Sequence, residues 1–277
     1  MIKNIDNKTV KGFGEEWLKF DQSKLSNAES LRLFNLYFDI FPWDKISSKS
    51  IGFDLGCGTG RWAKIMAAHV KELHCIDPSE AIKIAEKNLT NAGIDNCKFY
   101  KSDSDDMPIS DSSMDFGYSI GVLHHVPDTS LALKNCVKKL KKNSPFLVYI
   151  YYDFDGRPYW YKKIWISTEL IRKVVSKMPF RLRYIMSQIF AFTLYFPLAR
   201  LSLILDKFNI NTDSIPLSAY KYLSFYTMRT DALDRFGTIL EKRFSREGIE
   251  HMMTDAGLVD ITFSKDMPYW CAVGLRK

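Results

Sequence analysis

The stretch whose reading decides the fold is "IGFDLGCGTGRW", residues 51–62. A short apolar lead runs into the acid Asp54, and glycine then recurs at every second position, Gly56, Gly58 and Gly60. Between a strand and its helix, such a turn lets a ligand approach bare backbone, with N–H groups free at the helix N-terminus. Two users of glycine-rich turns fit poorly. A phosphate-cradling loop ends in Gly-Lys-Ser/Thr, whereas Gly60 is followed by Arg61 and Trp62. The dinucleotide fingerprint G-x-G-x-x-G puts its third glycine where Arg61 stands.

Outward from this loop the chain alternates. "SIGFDL" reads as a strand, "GRWAKIMAAHV" as a helix, "ELHCID" as a strand, and "PSEAIKIAEKNLTNAG" as a helix opened by proline and closed by Gly93. "CKFYKSD", "SMDFGYSIG" and "PFLVYIYY" supply three further strands, with the helix "SLALKNCVKKLKKN" before the last. Strands alternating with helices predict parallel βαβ units in a doubly wound α/β sheet. The pattern resumes near the end with the helix "SREGIEHMMTDAGL" and two closing strands, "VDITFSK" and "PYWCAVGLRK", making seven strands in a mostly parallel sheet. The expected organisation is a helical arm over 1–50, a sheet domain over 51–152 and 231–277, and a mostly helical insertion over 153–230, after the fifth strand.

Composition is that of an ordinary globular protein, but its charge is unevenly placed. The net charge is +7, and the segment from Arg157 to Arg200 holds nine Lys or Arg against the single acid Glu169. The basicity is therefore regional, and it belongs to the insertion. Its first helix predicts an apolar face of Ile164, Trp165, Ile171, Val174, Val175 and Met178, with Lys162, Lys163, Arg172, Lys173 and Lys177 opposite. An uncharged run, residues 184–199, follows between Arg183 and Arg200. It falls short of the roughly 20 residues a bilayer span takes, and Pro197 is expected to interrupt it. The five cysteines are odd in number and lie far apart, with no Cys-x-x-Cys, so neither a disulfide framework nor a metal site is expected. "MIKNIDNKTVKGFGEEW" has no apolar core of a secretory signal, which predicts a cytoplasmic protein.

The motif "DLGCGTG" resembles that of the class I S-adenosylmethionine-dependent methyltransferases, D/E-x-G-x-G-x-G, at every fixed position. Asp77 in "HCIDPSE", "KSDSDDMPISDSSMD" and "GYSIGVLHHVPD" are similar to the family's later segments, in order. The resemblance implies a Rossmann-like methyltransferase fold with S-adenosylmethionine as cofactor. It places Asp54 near the methionine ammonium, Gly56, Cys57, Gly58 and Gly60 under the ligand, Asp77 at the ribose, Asp103 and Ser104 beside the adenine, and Pro78 and Ile120 among the cofactor contacts. "KGFGEEW" (11–17) resembles a turn that folds over the cleft in this family, bringing Phe13 and Trp17 to the cofactor; an anchor for the arm is the other reading.

His124 or His125 could serve as a base for a hydroxyl acceptor, or both could simply be packed. The implied acceptor is a small molecule. One reading makes the insertion a basic lid over a sugar or phosphorylated metabolite, with Arg181 and Arg183 as its candidate contacts. The other makes it a peripheral contact with anionic membrane, for a lipid or quinone-like acceptor. A protein that binds the cofactor without catalysis is the reading of another class. Nucleic acid is not an expected partner, since "GVLHHVPD" stands where amino-methylating enzymes carry (D/N/S)-P-P-(Y/F/W).

Overall fold

The structure is a computed structural model that describes residues 3–277; the first two residues of the expected arm lie outside the described residues. Seven strands form one sheet: β1 (Ile51–Leu55), β2 (Glu72–Ile76), β3 (Cys97–Tyr100), β4 (Phe116–Ile120), β5 (Pro145–Tyr149), β6 (Leu258–Phe263) and β7 (Cys271–Arg276). Their order is 3-2-1-4-5-7-6, with β1 to β5 parallel and β7 antiparallel to both neighbours. This is the doubly wound, mostly parallel α/β sheet that the alternation predicts. The order reverses between β1 and β4, and in such sheets ligands bind at the carboxyl ends of the strands beside that switch point.

The pairing of β1 with β4 is fixed by two reciprocal contacts. Gly52 stands opposite Phe116, and Phe53 opposite Gly117. A Cβ on Gly52 would fall 2.2 Å from the Phe116 ring, and one on Gly117 would fall 2.3 Å from the Phe53 ring. Each fully buried ring therefore lies over the other strand's glycine, one on each face of the sheet.

Five helices precede the insertion: α1 (Asn7–Lys19), α2 (Asn27–Tyr37), α3 (Ala63–Met66), α4 (Ala81–Asn91) and α5 (Thr129–Lys139). The insertion holds α6 (Tyr159–Val175), α7 (Phe180–Phe190), α8 (Phe196–Lys207) and α9 (Phe225–Gly237), and α10 (Arg246–Asp255) precedes β6. Leu133 and Val137 of α5 and Ile249 and Met253 of α10 close the main core against Phe53, Phe146 and Val148. "KGFGEEW" is not a turn but the middle of α1, whose N-cap Asp6 accepts the Thr9 N–H at 2.7 Å. The arm is tied down by Asn4, whose N–H donates to Asp105 Oδ2 at 2.7 Å and whose amide exchanges hydrogen bonds with Asp128 at 2.7 and 2.6 Å.

The chain divides into two compact units. One contains the chain through Ser23, Ser30–Asp153 and Leu240–Lys277; the other contains Lys24–Glu29 and Phe154–Ile239. The second unit runs past the expected boundary at 230 for a physical reason. Arg172 of α6 donates through Nη1 to the carbonyls of Thr238 at 2.6 Å and Ile239 at 3.0 Å, and Arg183 of α7 donates to that of Gly237 at 2.9 Å. Two guanidinium groups thus satisfy the carbonyls at the end of α9, where the helix dipole favours positive charge.

The insertion departs from expectation in two more ways. Pro197 does not interrupt the apolar run. A π turn, Ala191–Tyr195, joins α7 to α8, with the Phe196 N–H reaching Ala191 O, and one helix of 28 residues runs over Phe180–Lys207. A proline lacks the N–H that an α-helical ladder would use, and a π turn just before it lets the ladder re-register. On α6, Ile164, Ile171 and Val174 of the expected buried face are exposed, while Arg172 of the basic face is buried.

The reciprocal glycines give a stability test. Gly117→Val should destabilise the chain by about 1–3 kcal/mol, or more because the clash involves a sheet-fixed ring. Adding Phe53→Ala vacates the ring's space, so in urea unfolding the double variant should lose less than the sum of the two single losses.

Candidate active site

Beyond the carboxyl ends of β1, β2 and β4 lies a cleft of about 770 Å³, open to solvent. Its floor is the loop after β1, including Gly56, Cys57 and Gly58; Asp77, Pro78 and Ser79 follow β2; Ile120, Val122 and His125 come from the end of β4. Thr9, Val10, Phe13 and Trp17 of α1 form a further wall, at the spacing of one helical face.

The loop is shaped by hydrogen bonds from both sides. Gly56 N–H donates to Ile76 O at 2.7 Å, and Gly58 N–H donates to Asp77 Oδ2 at 2.9 Å. Asp77 Oδ1 accepts the N–H of Ser79 at 2.8 Å and its hydroxyl at 2.6 Å. A carboxylate offers about four acceptor positions. Three are occupied within the protein, which leaves one for a ligand hydroxyl rather than the two that a ribose pair would fill. Gly58 itself has φ +54, and a Cβ there would meet the Trp17 indole at 3.4 Å, inside the cleft.

Asp54 does not line the cleft. It lies behind the wall, 1 % exposed, with the buried Tyr118 hydroxyl as the polar group beside its carboxyl. Burial drives its pKa well above the usual carboxylate range, with Asp77 adding to the rise. Burial also raises Asp77, against the hydrogen bonds from Ser79 and Gly58. Cys57, pushed up to about 12 chiefly by burial, is a small packed thiol and no nucleophile.

The two histidines separate. His124 is fully buried and stacked on Tyr151 with ring centroids 3.8 Å apart, and burial holds it neutral, well below its usual range. It faces no ligand, and its candidacy as a base fails on access. His125 lines the cleft, packs edge-on against Phe13 at 4.9 Å, and its Nδ1 lies 2.7 Å from Leu240 O. A carbonyl can only accept, so Nδ1 carries the proton and the lone pair is on Nε2.

Among the other expected residues, Gly60 lies under the loop, where a Cβ would strike Leu89 at 2.3 Å. Asp103 caps a turn, accepting from the N–H groups of Asp105 at 2.9 Å and Asp106 at 3.2 Å, and buried Ser104 sits in the same turn. Neither lines the cleft. Arg183 is buried and bound to Gly237 O, so it is not available to a substrate, whereas Arg181 is exposed. Among the wall residues that sequence reading missed are Thr9, Val10 and Arg61, the last stacked over Trp62 at 4.0 Å. The i, i+1, i+4, i+8 pattern of Thr9, Val10, Phe13 and Trp17 was the available signal, had the stretch been read as helix.

Comparison with known proteins agrees with this geometry. Residues 53–148 match the family model described as a methyltransferase domain. A methyltransferase domain therefore occupies residues 53–148. Over 134 residues it is 32% identical to a sterol 4-C-methyltransferase of Caenorhabditis elegans, covering 47% of this chain and 39% of that one. Over 94 residues it is 33% identical to an O-methyltransferase of Aspergillus nomiae, covering 33% of this chain and 42% of that one. The matches thus span about two fifths of the length of these relatives. In fold it is similar to a chain from the complex of the Haloferax volcanii Trm112 methyltransferase activator with a methyltransferase (TM-score 0.54, 14% identity, 94% of this chain and 96% of that one).

The residues present fit S-adenosylmethionine. Bare backbone at Gly58, one open acceptor on Asp77 and the rings of Phe13 and Trp17 suit an adenosine joined to a sulfonium.

Two outcomes follow from the buried acids. Both folded pKa values are raised, so the folded chain holds protons that the unfolded chain has released. The free protein should therefore lose stability as pH rises above about 4 and through the folded values. Asp54→Asn should flatten that loss, read as the urea midpoint against pH. Asp77→Ala should weaken S-adenosylhomocysteine binding by about 1.5–3 kcal/mol in calorimetry, and it should also lower the melting temperature because the buried Gly58 N–H loses its acceptor.

Proposed function

We propose that the chain transfers a methyl group from S-adenosylmethionine to a hydroxyl of a small-molecule acceptor, with His125 as the base. The observation that carries this reading is the fixed tautomer of His125 at the cleft wall. When bound, the cofactor would supply an electrophilic methyl that a deprotonated hydroxyl oxygen takes up as the S–CH3 bond breaks and the neutral thioether leaves. His125 Nε2 receives that proton, and the Leu240 carbonyl steadies the resulting imidazolium through Nδ1–H. Phe13 and Trp17 exclude water and present ring faces that favour a cation. Arg61 suits the methionine carboxylate, being a cation at the wall stacked on Trp62.

The relatives named for methylation of a sterol carbon and of oxygen support a small-molecule acceptor, but the matched portion is the cofactor half. The character of the acceptor is read from this chain. Val10, Phe13, Trp62, Ile120, Val122 and Val126 give the cleft an apolar wall, which favours an acceptor with an apolar body. A phosphorylated acceptor loses support, because Arg183 is already bound to a backbone carbonyl.

His125→Gln tests the proposal. The variant should bind S-adenosylhomocysteine like the parent while kcat on a phenolic or alcoholic acceptor falls about 10²–10⁴-fold. Unchanged turnover would remove His125 from the mechanism, and tight NAD binding without S-adenosylhomocysteine binding would remove the cofactor assignment.

A further inference from the structure

The long helix of the insertion is inverted relative to a soluble helix. Its buried side carries Arg183, Ser187, Ala191, Tyr195, Ala199 and Ser202, mostly small or polar residues. Its exposed side carries Ile185, Ile189, Phe192, Phe196, Ile204 and, just beyond its end, Phe208. The spacing of Ile185, Ile189, Phe192 and Phe196 is that of one helical face. Phe192 is 66% and Phe208 72% exposed, values far from those of core side chains. On α6 the same holds for Ile164, Leu170, Ile171 and Val174, with Trp160 exposed at its start. A soluble monomer rarely shows so many large apolar side chains on adjacent helices.

The charges around this surface have one sign. Lys162, Lys163, Lys173, Lys177, Arg181 and Lys207 are exposed. The two acids of α6 to α8 are engaged elsewhere: Glu169 pairs with Arg172 and Arg235, and Asp206 pairs with Lys221. An apolar surface fringed by cations is complementary to an anionic bilayer, whose acyl boundary takes the apolar side chains and whose headgroups take the cations.

We infer that the insertion docks on the surface of an anionic lipid bilayer, with α6 and the α7–α8 helix lying in the interface. By composition and length, Phe180–Lys207 is the one helix among the described residues that could cross a membrane. At about 42 Å it also exceeds the roughly 30 Å hydrocarbon core. Its buried side argues against crossing. That side packs on α9, where Arg229 donates to Tyr184 Oη at 2.7 Å and bonds Gln188, and where Arg235 pairs with Glu169. Crossing would carry these charges into hydrocarbon, whereas lying in the interface immerses only the apolar side.

Sedimentation of the full chain with vesicles tests this. The protein should pellet with phosphatidylcholine vesicles containing phosphatidylserine, much less with phosphatidylcholine alone, and less as salt is raised. Replacing Lys163, Lys173 and Lys177 with Glu should weaken partitioning by at least fivefold per cation, about 10²-fold in all. Ile189→Glu/Phe192→Glu should abolish pelleting while S-adenosylhomocysteine binding and the melting temperature stay at parental values, since both side chains are exposed in the free chain. Absence of vesicle binding by the parent, or binding indifferent to both sets of changes, would overturn the inference. So would a dimer in light scattering that the Glu pair dissociates, without any vesicle binding, since the face would then be covered by a second copy of this chain.

Discussion

The carboxylate of Asp77 joins the glycine loop to the start of α4, and the cleft depends on that junction. It takes the Gly58 N–H from one side and the Ser79 N–H and hydroxyl from the other. Without it, a loop with three glycines at positive φ would have many conformations to choose among. With it, one shape is selected, and an acceptor position stays open toward the ligand. The residue with an acceptor open to the cleft is thus also the residue that shapes its floor.

The same economy applies to α1. Asn4 fastens its approach to Asp105 and Asp128, while the Asn88 amide donates to Asp21 O and to Thr59 O, so the chain after α1 and the glycine loop share one anchor. Between these fixings, Phe13 reaches His125 and Trp17 reaches Gly58. The acidic turn that follows β3 serves here to hold the chain itself. Asp103 holds its own turn, and Asp105 holds the arm.

Buried acids carry a cost that a bound cation can offset. Burial opposes the ionised form of Asp54 more than the Tyr118 hydroxyl favours it. The second unit handles charge in another way. It places Arg172 and Arg183 inside, on the end of α9, and leaves aliphatic and aromatic side chains outside.

The sequence by itself determined the sheet and the loop. Strand-helix alternation admits few topologies other than a doubly wound sheet, and "DLGCGTG" with Asp77 one βα unit later marks the carboxyl edge where a ligand binds. These features are legible because they are local: each depends on neighbouring residues and on backbone conformation. Only the tertiary structure decided which histidine reaches the cleft, since His124 and His125 are adjacent and differ only in what packs around them. It also decided that α1 is a wall of the cleft, a matter of contacts between residues far apart in the chain. Above all it decided which side of the insertion faces out. Periodicity shows that a helix has two faces but not which is buried, and the usual assumption places apolar residues inside. Here Arg172, which also pairs with Glu169, and Arg183 donate to the carbonyls of Gly237, Thr238 and Ile239. That long-range pairing turns the helices over, and no pattern within α6 or α7 encodes it.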